Sequence, residues 1–517
     1  MKFSLIITAL DIREHLLDRS VSKGIVAWCQ KRKIKCVYIE TYRSKYEVPK
    51  DVLVRLRDMF CEADIEALGG ICTTDIGKPS TGWPDMSCLT DPAAQEYAEK
   101  LFRRAVEVFD TVIIDNRLFA DCCCDACDKA RDGRCWTDFH RDQTTRLLKD
   151  HVIAPTVQAN PNVHLIFKFP SWYEGIASRG FDLKGQSGLF PAVVAGGETR
   201  DPFSDHWGRR QPYSAYFTVA HFMSATNGKC QASWIDPIAC DRDIFVAQVH
   251  GSALAGVQEL ILCSFGQLIT LDRAGYTPAE EVLDAVLQER AKLESIEHMV
   301  RASGMGGIAA FRPPEGDVRG EPYFFDYLGT LGFPLVPTAS FPRDASAAAF
   351  CQSSNVGDDF DEKLLTFLES GKLALLTSRL AEELPQTITQ HPNASILATH
   401  IYTFPDRMPR MVGEELAQDD SLPLAEALYS MSPDELHILR QPFLDILEID
   451  ISPSVGITIH QLSGGTCILQ NFSGDKWKAD VEFERIDKGC SAGVDEAGNL
   501  LPGGLMVLQS AKRAQCN

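Results

Sequence analysis

The chain predicts an α/β fold: a (β/α)8 barrel, then a smaller α/β domain, then a small C-terminal antiparallel β domain. Three observations predict it. From residue 3 to about 302, short apolar runs alternate with longer amphipathic stretches, eight times over. A glycine-rich segment, SGMGGIAAFRPPEG, breaks that alternation near residue 305. Beyond residue 450 the apolar runs sit between Gly, Ser and Asn turns. The expected domains are 1–305, 306–445 and 446–517.

The eight strand candidates are 3–10, 34–39, 67–73, 111–114, 163–169, 192–195, 231–235 and 260–264. Between them lie helix-like stretches such as VPKDVLVRLRDMFCEA, AAQEYAEKLFRRAVEVF and EEVLDAVLQERAKLESIEHMVRA. A doubly wound open sheet is the rival. It rarely needs eight units, and no G-x-G-x-x-G follows the first strand. In the middle domain, EPYFFDYLGTLGFPLVPT reads as a helix and then a strand. SAAAFCQ reads as a strand, FDEKLLTFLESG as a helix with a glycine stop, and KLALLTS as another strand. In the last domain GITIHQL, GTCILQNF, KADVEFERI and GLMVLQ are the strands.

Composition narrows the function classes. The 517 residues carry 51 Lys and Arg against 71 Asp and Glu, a formal charge of -20. That balance disfavours a nucleic acid or an anionic membrane as partner and favours a small or neutral substrate. The opening MKFSLIITAL is short, meets Asp11 at once and has no small-x-small cleavage site, so it reads as a buried strand rather than a signal peptide. No apolar run reaches about 18 residues, the length of a membrane span. With no signal, the 17 cysteines point to reduced thiols and a metal site in a cytoplasmic protein.

In a barrel the residues that end the strands ring one mouth. Here they are Asp11; Glu40, Tyr42 and Arg43; Thr73, Thr74 and Asp75; Asp115 and Asn116; Lys168; Glu198, Arg200 and Asp201; Trp234 and Asp236; Ser264 and Phe265. Trp172, Tyr173, His206 and Trp207 follow in the loops. Acids with aromatics suit carbohydrate: carboxylates bond hydroxyls and do acid/base work, and flat rings stack on sugar C–H groups. There is no G-x-S-x-G elbow, no H-E-x-x-H pair and no P-loop.

Glycoside hydrolysis needs two carboxyls across the scissile bond. Asp115 is the first choice, because the apolar run Val112-Ile113-Ile114 delivers it rigidly to the mouth. Glu198, in VVAGGETRD, is its expected partner; the two glycines before it allow close approach, and Arg200 can tune its charge. Asp236, in SWIDP, is the runner-up. Asp11, Glu40, Tyr42, Lys168, Arg200, Trp234 and Asp236 are expected to bind substrate. Any strand-end acid can instead cap a helix or sit in an ion pair, and Asp236, just before Pro237, suits a cap.

Seven residues after Asp115 comes a thiol run, DCCCDACDKA. Cys122, Cys124 and Cys127 have the close spacing of thiolates sharing one tetrahedral zinc. Cys88, in the loop STGWPDMSCLTDP, is the expected fourth ligand, with Cys135 and Cys123 as alternatives. Four thiolates would fill the shell, so the metal would be structural. A cluster of reduced thiols without metal is the other reading. Cys29, Cys36, Cys61 and Cys263 fall in helix or strand patterns and read as core.

The three-part order resembles the β-galactosidases of glycoside hydrolase family 42 and their relatives. That likeness implies a barrel, a trimerising domain similar to a glutamine amidotransferase and a terminal β domain. CCCDACDKA is similar to the family's zinc loop after strand four, which implies Cys122, Cys124 and Cys127 as ligands with Cys88 as the fourth. DYLGTLGFPLVPT and GKLALLTS resemble the amidotransferase-like domain, without its Cys-His pair. GTCILQNFSGDKWKADVEF resembles the terminal domain. The family carries Asn-Glu after strand four and a Glu on strand seven, where this chain has Asp115-Asn116 and Asp236. An Asp after strand four also resembles the α-galactosidase-like barrels. There it is the nucleophile and a strand-six acid the proton donor, which implies those roles for Asp115 and Glu198. The expectation is a retaining, exo-acting glycosidase on a small glycoside, a homotrimer with structural zinc and no organic cofactor. The alternatives are a degenerate glycosidase that only binds carbohydrate, and a metal-dependent barrel lyase or isomerase.

Overall fold

The computed structural model describes residues 1–83, 85–202, 204, 210–270, 279–316, 321–397, 432–480 and 485–509. His206 and Trp207, and residues 481–484 of the run KADVEFERI, lie outside the described residues.

Eight parallel strands close into a barrel: β1 (Lys2–Ile7), β2 (Cys36–Glu40), β3 (Glu66–Ile71), β4 (Thr111–Ile114), β5 (His164–Lys168), β6 (Ala192–Gly196), β7 (Cys230–Ile235) and β8 (Glu259–Leu262). Each pairs with its neighbours in sequence, and β8 returns to β1, so the open-sheet rival is excluded. The apolar runs were legible because strands covered on both faces cannot alternate with polar residues. Among the helices of the outer ring are α1 (Pro92–Ala105), α2 (Asp125–Arg131), α3 (Ser214–Ala225), α4 (Arg242–Leu254) and α5 (Arg290–Ser303).

The chain leaves the barrel through β9 (Met305–Gly306), which pairs antiparallel with residues Leu462 and Gln461 of the last domain. A parallel sheet follows, from β10 (Ile308–Phe311), β11 (Leu335–Thr338), β12 (Ala347–Phe350), β13 (Leu373–Thr377) and β14 (Ala394–Leu397), in spatial order β11-β10-β12-β13-β14. Helices α6 (Phe324–Thr330) and α7 (Phe360–Glu369) belong to it, and α8 (Pro433–Ile446) leads onward. The last sheet is antiparallel: β15 (Ile457–Leu462), β16 (Cys467–Asn471), β17 (Trp477–Lys478), β18 (Ala492–Val494) and β19 (Asn499–Leu508), with β9 on its edge.

One element differs from the sequence reading. The stretch read as a glycine-rich break contains β9 and β10. Alanines fill the middle of β10, a residue type that strands do not favour, so IAAF carries little local signal. Helix α3 has almost no polar face, because other domains cover what would be its solvent side. The Tyr216 hydroxyl donates to the Leu335 carbonyl at 3.0 Å, and its ring meets His460 edge-on at 4.5 Å. One helix thus touches all three parts of the molecule.

Candidate active site

The barrel interior is lined by every second residue of each strand: Ile6, Tyr38, Ile113, Val194, Trp234 and Ile261 among them. The same two-residue period gives Glu40 above Tyr38 at the end of β2 and, just past the strand ends, Asp115 above Ile113 and Asp236 above Trp234. Lys168 ends β5 in the same phase as Ile166, and Glu198 lies one step beyond Gly196. All five are buried. The pattern of the strands therefore aims these side chains at one mouth.

They form a single charge network around Lys168. Its ammonium donates to Glu198 Oε1 and to Asn116 Oδ1, each at 2.9 Å, and lies 3.8 Å from Asp115 Oδ1. It rests over the Trp234 ring, 4.6 Å from the centroid. Burial would lower the Lys168 pKa, but Glu198 and Asp115 outweigh it and hold it above its ordinary value. On the other side Arg43 donates to Glu40 through Nε at 2.8 Å and Nη2 at 2.6 Å, and its Nη2 reaches Asp115 Oδ2 at 3.0 Å. Burial pushes the Asp115 carboxyl up, yet Lys168, then Arg43 and Arg117, bring it below the usual range. It is a carboxylate at neutral pH. Burial is the leading effect at Glu40 and Asp236 and raises both.

The two candidate carboxyls differ from the runner-up in what remains free. Asp236 is held at both oxygens by Arg200, at 2.8 and 2.9 Å, and its Oδ1 also accepts from the Ile238 N–H at 2.9 Å. It closes a turn before Ile238 rather than capping the next helix, which begins at Arg242 with Asp241 as its cap. Glu198 Oε2 is buried with no hydrogen-bond partner among the described residues. A Cβ on Gly196 would run into that oxygen and into the Pro170–Ser171 peptide. The glycine therefore makes room for the carboxylate against the loop after β5.

Three expected ligands are placed elsewhere. Tyr42 is fully buried and faces outward: its hydroxyl donates to the Thr74 carbonyl at 3.0 Å, and its ring meets Tyr97 of α1 edge-on. Arg43 takes the place at the mouth. A two-residue turn causes the exchange, with Ser44 and Lys45 both in the left-handed region at φ 48° and 66°. Such turns favour glycine or asparagine, so Ser-Lys hid the hairpin. Trp234 packs in the barrel interior beneath Lys168 and is a floor rather than a wall. Asp11 closes a capping box with Thr8, accepting from the Thr8 N–H at 2.9 Å while Thr8 Oγ1 accepts from the Asp11 N–H.

Beside the mouth, four sulfurs converge. Cys88, from the loop after β3, lies 3.4 Å from Cys127 and 3.9 Å from Cys124, which lie 3.8 Å from each other. With Cys122 the four ligand atoms all fall within 4.8 Å of one another. A tetrahedral site with metal–sulfur bonds of about 2.3 Å has edges of about 3.8 Å. The observed separations match that figure and are too long for disulfides. Cys123 and Cys135 stay outside the cluster.

The same loops build the rim. Asp121, next to Cys122, accepts from the Trp83 N–H and from Ser80 Oγ, both at 2.6 Å. Trp83 stacks on Trp172 from the loop after β5, with centroids 5.7 Å apart and planes 8° off parallel. The Arg117 guanidinium lies over Trp83. The loop STGWPDMSCLTDP was read for its cysteine alone; an aromatic beside a ligand in a mouth loop was the signal for Trp83.

Comparison with known proteins adds the family level. Residues 1–302 match the family described as "Probable glycosyl hydrolase, catalytic domain". No curated protein matches. Among solved structures, a β-galactosidase from the psychrophilic Marinomonas ef1 is similar over 99% of this chain and 100% of its own, at TM-score 0.61 and 12% identity. α-L-Fucosidase isoenzyme 2 from Paenibacillus thiaminolyticus is similar over 95% of this chain and 96% of its own, at TM-score 0.57 and 12% identity. At those identities the likeness is one of fold.

Proposed function

Because the chain belongs to this glycosyl hydrolase family, we propose that it is a retaining, exo-acting glycosidase using Asp115 as nucleophile and Glu198 as acid/base. The observation that carries the proposal is the shared ammonium. Lys168 Nζ is 3.8 Å from Asp115 Oδ1 and 2.9 Å from Glu198 Oε1, so those oxygens lie no more than about 6.7 Å apart, the sum of the two. Retention goes with carboxyls about 5–5.5 Å apart, and inversion with about 6.5–9.5 Å. A retaining separation lies within that bound.

The chemistry follows from the free atoms. Asp115 is ionised, and its oxygen attacks the anomeric carbon as the glycosidic bond breaks. Glu198 enters this step as the carboxylic acid, and the departing oxygen takes the proton from its Oε2, which has no other partner among the described residues. Glu198 then removes a proton from water, whose oxygen displaces Asp115 from the sugar. Lys168, bonded to Asn116 as well, compensates whichever carboxyl is charged at each stage. Its raised pKa keeps it cationic, which disfavours a Schiff-base role.

The thiol cluster supports structural zinc held by Cys88, Cys122, Cys124 and Cys127, pinning the loops that carry Trp83. When bound, the ion supplies cross-linking rather than catalysis, since four thiolates complete its shell. The free thiols of all 16 described cysteines are consistent with a cytoplasmic setting. Resemblance to the family 42 enzymes supports a homotrimer, which light scattering on the purified protein tests. The reaction is tested on aryl glycosides of both anomers, with the first-formed anomer read by NMR. Retention is expected on one of them, and an inverted product or turnover unchanged in Asp115→Asn refutes the assignment.

A further inference from the structure

Glu198 is backed by a loop that is not held by the barrel alone. The loop after β5 runs Pro170-Ser171-Trp172-Tyr173-Glu174. Its Pro170–Ser171 peptide and Glu198 Oε2 converge on the space above Gly196. Trp172, the next residue, forms the rim with Trp83. The following two side chains leave the barrel and enter the second domain.

Tyr173 donates its hydroxyl to Asp326 Oδ1 of α6 at 3.0 Å, and both residues are buried. Glu174 accepts from Arg312, just after β10, through Nη2 at 2.7 Å and Nε at 3.3 Å. This pair is also buried, at 2% and 3% side-chain exposure. A third tie runs through Arg210, which donates to the Ser171 carbonyl at 2.6 Å and lies over the Tyr323 ring at 4.4 Å. Tyr323 belongs to the second domain and packs edge-on against Tyr173. Arg312 has further acceptors in the Pro313 and Gly316 carbonyls, at 2.7 and 2.8 Å, so it is fixed in its own domain before it meets Glu174.

We propose that the second domain sets the position of Glu198, with Tyr173, Glu174, Arg312 and Asp326 as positioning residues. This rests on the reading of Glu198 as acid/base. A buried bidentate ion pair adds little net stability, because desolvation offsets attraction, but it fixes geometry. Placement of a catalytic carboxyl is sensitive at the 1 Å level. The domain is therefore part of the catalytic apparatus and not only a candidate surface for assembly.

Two variants test it: Tyr173→Phe, which removes one oxygen and keeps the ring, and the paired change Glu174→Gln with Arg312→Met, which removes both charges together. Backbone hydrogen exchange is measured over residues 170–174 and over the barrel strands. Turnover is measured on glycosides with good and poor leaving groups, beside Glu198→Gln. The expected result is faster exchange confined to the loop in both variants. With it, kcat should fall about tenfold on poor leaving groups, less on activated ones, with KM little changed. Unchanged exchange in the loop, or a lower melting temperature with wild-type kcat on both substrate types, overturns the proposal. If Glu198→Gln keeps full turnover on poor leaving groups, the acid/base reading fails and takes this inference with it. If that variant is impaired while the two loop variants are not, only the positioning role fails.

Discussion

Two clusters sit side by side on the barrel's C-terminal face and differ in what they leave over. The thiol cluster is closed: four sulfurs at tetrahedral spacing turn inward on one another. The carboxylate cluster is open. Asp236 and Glu40 are each held bidentately by an arginine, whereas Glu198 keeps one buried oxygen without a partner among the described residues. A buried acceptor left unpaired costs about 1–3 kcal/mol. A fold tolerates that where the atom is reserved for something absent from the resting protein. The closed cluster reads as scaffold and the open one as chemistry, and the contrast can be broken by experiment.

The largest effect is expected at the open cluster. Asp115→Asn should lower kcat by at least about a thousandfold with a melting temperature near wild type. Parallel kinetics and thermal unfolding check this, and a collapse of the fold would put Asp115 with the scaffold. Lys168→Met comes next, because it strips the shared cation from two buried carboxyl groups. A stability loss of about 3–5 kcal/mol by denaturant titration is expected, together with lost turnover. A stable, inactive Lys168→Met would give the lysine a purely chemical role.

The closed cluster should respond in the opposite sense. Cys88→Ser, or metal removal with a chelator, should lower the unfolding midpoint, and activity should fall only in step with the folded fraction. Zinc analysis alongside is expected to give one ion per chain, lost in the variant. Activity that vanishes while folding persists would erase the distinction and favour a catalytic metal. The smallest effect concerns Asp326. Burial pushes its carboxyl from an ordinary 3.8 up to about 7, against the opposing pull of Arg210 and the Tyr173 hydroxyl. The folded chain thus keeps a proton that the unfolded chain has released, and stability falls as pH rises between those values. Asp326→Asn should be more stable than wild type by about 1–2 kcal/mol at pH 8, and the gain should shrink toward pH 4. A gain independent of pH would contradict the shift.

Much of this was legible in the chain because two periods govern it. The eight apolar runs gave the barrel, and stepping two residues from Ile113 or Trp234 reaches Asp115 or Asp236. What escaped depended on geometry without a residue signature. The left-handed Ser44-Lys45 turn exchanged Tyr42 for Arg43 at the mouth. Asp11 was read by position, but one of its oxygens accepts from the Thr8 N–H. The Glu198 oxygen that finds no partner among the described residues, and the anchoring of the loop behind it by Arg312, exist only once distant segments meet.

The short strand β9 has a consequence for a cut chain. Met305 and Gly306 are hydrogen-bonded to residues 461 and 462, so the whole second domain lies between two strands of one sheet. In topology it is an insertion whose two ends are stitched together outside it. A protease that opened one bond within that domain would yield two pieces, yet each would keep part of the C-terminal sheet. The nicked protein should elute at native size and separate only in denaturant.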